Sequence, residues 1–200
     1  WSENNPRGTD RRACRGSCGP RPEKRMPMKT VVLFPTVEEG KEFILGEPPV
    51  ATFVSGVGAA ETAAAVVRAV RAKKPDLVLL AGIAGAYDRT IPVGTVFEVT
   101  SERTAALPAR YRAEYTVPPV TDLPEAASNT SDRMGTEAEG ARLENMEGAA
   151  LFAACAALGV RCCEIRAVAN YVGDPFEQWD IPCAVTNLTE TLRDLFADAE

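Results

Sequence analysis

The hydrophobic positions of this chain fall in short continuous runs separated by amphipathic stretches. Thr30-Val31-Val32-Leu33-Phe34, Val50–Ser55, Asp76–Ala81 and Arg161–Asn170 are apolar segments of strand length, as buried parallel strands require. Gly94–Thr100 alternates and predicts one more strand. Helical spacing appears between these runs. Val37–Leu45 reads as a short helix or turn. Gly56-Val57-Gly58 opens a helix in which Ala63, Val66, Val67 and Val70 share one face. Arg68, Arg71, Lys73 and Lys74 lie outside it or near its C-terminal end, and Pro75 stops it. A further helix is predicted over Met146–Leu158, closed by Gly159. In Asp180–Phe196, residues Ile181, Val185, Leu188, Leu192 and Leu195 fall in register. Residues 103–145 read as irregular and polar, with prolines from Pro108 to Pro124.

Strands alternating with helices predict an α/β fold, a three-layer α/β/α sandwich around a central mixed, largely parallel sheet. In such sheets a ligand lies beyond the carboxyl ends of the strands. That rule selects Pro35–Glu39, Ser55–Gly58, Gly82–Ala86, Thr100–Arg103 and Asn170–Asp174 as candidate site segments.

Composition changes this picture at the N-terminus. Residues 1–27, beginning at Trp1, are rich in Arg, Gly, Pro and Asn, and such a segment buries too little apolar surface to offset its ordering entropy. It is expected to be a disordered basic tail, upstream of a start at Met26 or Met28, with one folded domain over 28–200. The tail holds seven basic and three acidic residues, so the remainder carries 15 basic against 25 acidic, or −10 of the chain's net −6. A body that acidic is a poor partner for phosphate backbones, so no nucleic-acid partner is expected. No run approaches a membrane span, and no apolar signal-peptide core precedes the domain, so a cytoplasmic protein is expected. Cys155, Cys162, Cys163 and Cys183 sit in apolar runs and read as buried free thiols, with adjacent Cys162 and Cys163 on opposite faces of a strand.

The chain contains no histidine. This removes Ser-His-Asp and Cys-His nucleophiles, His-ligated metal centres and any imidazole acid or base. Acid–base chemistry must come from carboxylates, amides or lysine. Ser55-Gly56-Val57-Gly58 looks like a dinucleotide loop, but Glu61 occupies the third glycine position, a negative charge where a pyrophosphate would lie. No nicotinamide, flavin, metal or other cofactor is expected. Gly82-Ile83-Ala84-Gly85 exposes main chain with little side chain, a surface suited to a planar or sugar ligand or to tight packing. Glu38 and Glu39 follow the first strand, Glu147 stands at a helix N-terminus, Glu164 and Arg166 share one face of the last strand, and Asn170 ends it.

These residues in this order resemble the nucleoside phosphorylase/nucleosidase superfamily and, within it, the futalosine hydrolases. The resemblance covers roughly residues 30–196. It is carried by Ala81-Gly82-Ile83-Ala84-Gly85-Ala86-Tyr87-Asp88-Arg89-Thr90-Ile91-Pro92-Val93-Gly94-Thr95-Val96, by Asn145-Met146-Glu147-Gly148-Ala149-Ala150, and by Arg166-Ala167-Val168-Ala169-Asn170-Tyr171-Val172-Gly173 followed by Trp179. Asn-Tyr-Val-Gly, where adenine-releasing nucleosidases have Ser-Asp, favours the futalosine branch. The resemblance implies that Glu39 activates water, that Glu147 grips the ribose hydroxyls beside Met146, and that Asn170 contacts the purine. Thr36, Gly56, Val57, Ala84, Gly85, Asn145 and Tyr171 complete the implied substrate site. The implied activity is N-glycosidic hydrolysis of futalosine to hypoxanthine and dehypoxanthine futalosine, a menaquinone-pathway step, by a homodimer that binds a small purine nucleoside. Alternatives are a 5′-methylthioadenosine/S-adenosylhomocysteine nucleosidase, a phosphorylase, and a catalytically impaired nucleoside-binding homologue. The last is suggested because residues 104–124 are shortened where the family closes the 5′ side and the dimer contact.

Overall fold

The computed structural model describes residues 29–197; the predicted basic tail lies outside them. Strand β1 (Thr30–Phe34) is wholly buried and is followed by α1 (Val37–Leu45), capped by Thr36. Strand β2 (Ala51–Val54) leads through the two glycines into α2 (Ala59–Lys73). The next strands are β3 (Leu77–Ala86), β4 (Val96–Thr104), β5 (Glu114–Thr116), β6 (Glu125–Thr130) and β7 (Leu143–Asn145). Helix α3 (Gly148–Leu158), strand β8 (Arg161–Tyr171) and helix α4 (Ile181–Phe196) complete the chain.

Both faces of the sheet are covered, as the sandwich reading requires. On one face Phe43 of α1 and Ala184, Leu188, Leu192 and Phe196 of α4 pack on Val32, Leu79 and Ile165. On the other, Ala65, Val66 and Ala69 of α2 and Leu151, Phe152 and Cys155 of α3 pack on Leu33, Val78 and Leu80. Cys163 joins the first cluster and Cys162 the second, so the two thiols do point to opposite faces. The four cysteines named above are free, and Cys183 is only half-buried on α4.

Several expectations are corrected. The buried stripe of α2 is Thr62, Ala65, Val66 and Ala69, rotated from the predicted face, because small alanines let the helix lie close to its neighbours while Ala63, Val67 and Val70 sit at the margin. Strand β3 continues through Gly82–Ala86, which is therefore not a loop beyond the strand; β8 and β7 supply its hydrogen-bonding partners. Helix α3 starts two residues later than predicted, leaving Glu147 as its N-cap residue. The stretch predicted to be irregular contributes β5, β6 and β7. Strand β5 pairs with β4 outside the ring, whereas β6 and β7 close the sheet: β3, β8, β4, β6 and β7 pair in succession, and β7 returns to β3. The other arm, β1–β2, extends from β3 in parallel. Polar side chains can therefore face the inside of a closed set of strands, where neighbours satisfy them.

Candidate active site

A cavity of about 640 Å³ opens where β1, β3 and β8 end, a volume suited to a nucleoside-sized ligand. Pro35 and Thr36 come from the turn into α1, Glu39 from the first turn of α1, and Val57 from the turn into α2. Ile83, Ala84 and Gly85 come from β3, Asn145, Met146 and Glu147 from the β7–α3 junction, and Asn170 from β8. The structure thus brings Glu39, Glu147, Asn170, Thr36, Val57, Ala84, Gly85, Asn145 and Met146 together.

Two of the predicted residues do not reach the cavity wall. Tyr171 follows Asn170 on a strand and so points to the opposite face, where its hydroxyl donates to the Ile91 carbonyl at 3.0 Å. Gly56 lies behind Val57, with φ of 91°, against the side chain of Glu61. Thr100–Arg103 also fails to line the cavity, because β4 runs antiparallel to β8 and continues as strand through Thr104. Residues 131 and 133–135, after β6, form that wall instead, with Phe176 and Trp179 after β8. Asn129-Thr130-Ser131 resembles the family's strand beside the base only weakly, and no sequence pattern marks residues 132–135, since Asp132-Arg133-Met134-Gly135 has no periodicity. The loop is held by Glu144, whose carboxylate accepts from Gly135 N at 2.8 Å and Thr136 N at 2.7 Å.

Glu39 is set by its own helix. Thr36 caps α1, its hydroxyl accepting from Glu39 N at 3.2 Å and donating to Glu39 Oε2 at 2.6 Å. The Thr-x-x-Glu spacing is a sequence signature of such caps. Glu39 Oε1 accepts from Ile83 N at 2.9 Å, which ties the carboxylate to the strand. Burial raises its pKa above the usual carboxylate value, against the opposing pull of Thr36, Ile83 and the Arg166 charge.

Glu147 sits between two helix N-termini. It is the N-cap residue of α3 but makes no side-chain cap there, since Asn145 Oδ1 takes the amides of Glu147 and Gly148; its Oε1 accepts instead from Gly58 N at 2.9 Å at the start of α2. Gly58 adopts φ of 92°, open to glycine and strained for other residues, so the Gly-Val-Gly turn serves to aim this N–H. Glu147 Oε2 accepts from Arg166 Nη2 at 3.1 Å.

Arg166 is the hub between the two glutamates. It is fully buried and pairs with Glu164 through Nε at 2.8 Å, while Nη1 donates to the Ile83 carbonyl at 3.1 Å. Its guanidinium crosses Gly82, its register partner on β3: a Cβ at Gly82 would lie 2.6 Å from Arg166 Nη1 and 2.9 Å from Glu39 Oε1. Gly82 therefore makes room for protein side chains. Gly85 does border the cavity, and a register shift after Ala84 sets Asn170 opposite it. A Cβ at Gly85 would lie 3.1 Å from Asn170 Nδ2. That amide donates to the Tyr171 carbonyl at 3.0 Å, leaving its second N–H and its carbonyl oxygen for a ligand.

Asn145 is committed inward. Its Nδ2 donates to Glu102 Oε1 at 2.5 Å and Ser128 Oγ at 2.8 Å, and its Oδ1 accepts from Glu147 N, Gly148 N and Arg166 Nη2. Its side chain organises the site more than it presents a group to the cavity. Among the described residues no three His, Cys, Asp or Glu side chains converge as a metal site would require. No helix among them is long and apolar enough to cross a membrane.

Comparison with known proteins places this geometry. A family model described as the phosphorylase superfamily matches residues 23–135 and 125–197. A futalosine hydrolase of Thermus thermophilus is 41% identical over 80 residues, which is 40% of this chain; the matched part spans about a third of that relative's length, 33%. Futalosine hydrolase of Helicobacter pylori superposes with a TM-score of 0.72 at 14% identity, covering 84% of this chain and 97% of that one. The 5′-methylthioadenosine/S-adenosylhomocysteine nucleosidase of Helicobacter pylori gives a TM-score of 0.72 at 13% identity, covering 87% and 100%. At such identities these two solved structures speak for the fold, while the family model spans most of the chain: the protein belongs to the phosphorylase superfamily.

Proposed function

We propose that this chain hydrolyses the N-ribosidic bond of a 6-oxopurine nucleoside, with futalosine as substrate. One observation carries the reading: Glu39 and Glu147, both close to the Arg166 charge, line one cavity with Asn170. Cleavage of such a bond passes through an oxocarbenium-like sugar, which calls for a nearby anion and a base for water. In this reading Glu147 holds the ribose hydroxyls and lies close to the developing positive charge. Glu39 removes a proton from water as its oxygen bonds to C1′. The C1′–N9 bonding pair leaves with the purine, which takes up a proton from solvent. A buried carboxylate with a raised pKa is a stronger base than a solvated one.

Asn170 supports the 6-oxopurine end. An amide cannot protonate N7, but it can accept from N1–H and donate to the 6-oxo group, a pairing that adenine's amino edge does not offer. The likeness to the Thermus thermophilus futalosine hydrolase points the same way. The second reading, cleavage of 5′-methylthioadenosine, has equally good support from fold, since the nucleosidase of that name superposes as well. Asn170→Asp separates them. An acid at this position should shift the ratio of adenine release from methylthioadenosine to hypoxanthine release from futalosine by about tenfold or more toward adenine, read by chromatography. An unmoved ratio would mean that the amide does not read the purine edge.

A further inference from the structure

Behind the two glutamates lies a second pair of carboxyls that the reaction does not use. Glu102 on β4 and Glu164 on β8 are both at 0% exposure. They meet over Gly148: a Cβ at that position would collide with Glu102 Oε1 and Glu164 Oε2 together. Gly148 is therefore glycine because two carboxyl groups occupy the place of its side chain.

The hydrogen bonds of the pair are unequal. Glu102 acts as an acceptor at both oxygens, from the Thr130 hydroxyl at 2.6 Å and from Asn145 Nδ2 at 2.5 Å. The Thr130 hydroxyl oxygen in turn accepts from Ala149 N, so its proton is committed to Glu102. Glu164 Oε1 accepts from Arg166 Nε. Glu164 Oε2 is buried and lacks a hydrogen-bond partner in the described structure. An ionised oxygen there would be an uncompensated buried charge facing a second carboxylate. A protonated one would be a donor facing an acceptor.

The surrounding charges favour the second state. Glu102 faces Glu164 from β4, Arg166 lies beside it on β8, Glu147 stands ahead of α3, and Glu39 lies beyond the guanidinium. Arg166 is the cation that faces these four carboxyls. Burial, followed by the Glu102 charge, pushes the Glu164 pKa well above the usual carboxylate range, and Arg166 opposes this incompletely. Burial also raises Glu102, against its bonds to Thr130 and Asn145.

We propose that Glu164 is a neutral carboxylic acid whose proton is shared with Glu102, and that this shared proton positions Asn145 and Arg166 behind Glu147 and Glu39. Glu164 is thus a positioning residue. Its ionisation sets two carboxylates against each other at the point where Asn145 Nδ2 and Arg166 Nε are anchored. The proton needs no partner outside the chain: it is taken up from solvent on folding.

The sign of the linkage follows. A carboxyl raised in the folded state contributes stability that is full below its unfolded value and lost as pH rises through its folded value. Melting of the full chain should therefore fall as pH rises above the ordinary carboxylate range, and Glu164→Gln, which carries a permanent donor, should flatten that slope. In the infrared, a protonated-carboxyl C=O band should be present at neutral pH in wild type. It should persist in Glu39→Gln, which removes the raised carboxyl outside the Glu102–Glu164 pair, and disappear in Glu164→Gln. The alkaline limb of kcat/KM should move up by about one pH unit or more in Glu164→Gln, a change that a merely structural role would not produce. This kinetic arm rests on the glycosidase reading, whereas melting and infrared need no substrate, so the two ideas fail separately. If Glu164→Gln does not fold, the infrared titration of Glu39→Gln decides. Absence of the acid band at neutral pH, or an unchanged melting slope in a folded Glu164→Gln, overturns the proposal.

Discussion

Glu39→Gln should lower kcat by about 10²–10⁴-fold while nucleoside affinity changes by less than about threefold. The substitution keeps the shape of the side chain. The amide oxygen still accepts from Ile83 N, and the amide nitrogen can donate to the Thr36 hydroxyl, which accepts as readily as it donates. What disappears is the capacity to take a proton from water. Single-turnover hydrolysis paired with equilibrium binding of an unreacted nucleoside separates the two effects. Equal loss of both would assign Glu39 to binding. Burial already raises the Glu39 pKa, so the acid limb of kcat/KM should lie above the ordinary value of 4.5 for glutamate. The same shift makes the carboxylate costly at neutral pH. A carboxyl raised on folding loses its stabilising contribution as pH rises through its folded value, so the amide variant should melt no lower than wild type near neutrality.

Arg166→Leu should destabilise the fold by about 3–5 kcal/mol, a large share of the roughly 5–15 kcal/mol available to a domain. The guanidinium is the charge partner of Glu147, and also donates to Glu164 Oε1, Asn145 Oδ1 and the Ile83 carbonyl. Its removal leaves buried carboxylates without compensation, which costs more than the pair itself contributed. A fall in Tm of about 6–20 °C is expected for a chain of this size. Arg166→Lys keeps the charge but loses the fork that reaches four groups at once, so it should retain more stability than activity. A Leu variant that melts with wild type would remove Arg166 from the centre of the site.

Two of the strands legible in the sequence are buried along nearly their whole length, whereas β2, read over Val50–Ser55, is only half-buried. Thr30–Phe34 and Arg161–Asn170 are continuous apolar runs and became β1 and β8 within a residue. Helix α1 was bounded correctly because its cap and its following turn are both local signals. Strands β5, β6 and β7 were not legible. They are short, and their polar residues face partners brought in from distant parts of the chain, as Asn145 does with Glu102. The site divides along the same line. Glu39, Glu147 and Asn170 stood out because each ends or begins an element at the edge where ligands bind. Glu102 lies inside β4 with nothing local to mark it, and only closure of the sheet places it against Gly148 and Glu164. Strand alternation turns Tyr171 away from the cavity that its neighbour Asn170 lines. The glycines of β3 divide between the two expectations: Gly85 borders the cavity, while Gly82 is packed against Arg166 and Glu39.

The most direct measurement is a paired hydrolysis assay with the full chain in phosphate-free buffer, following free base by chromatography from futalosine and from 5′-methylthioadenosine in parallel. The account predicts hypoxanthine from futalosine, no requirement for phosphate, and little or no adenine from methylthioadenosine. Adenine release in preference to hypoxanthine would contradict the reading of Asn170, and no base release from either nucleoside would contradict the assignment of Glu39 and Glu147.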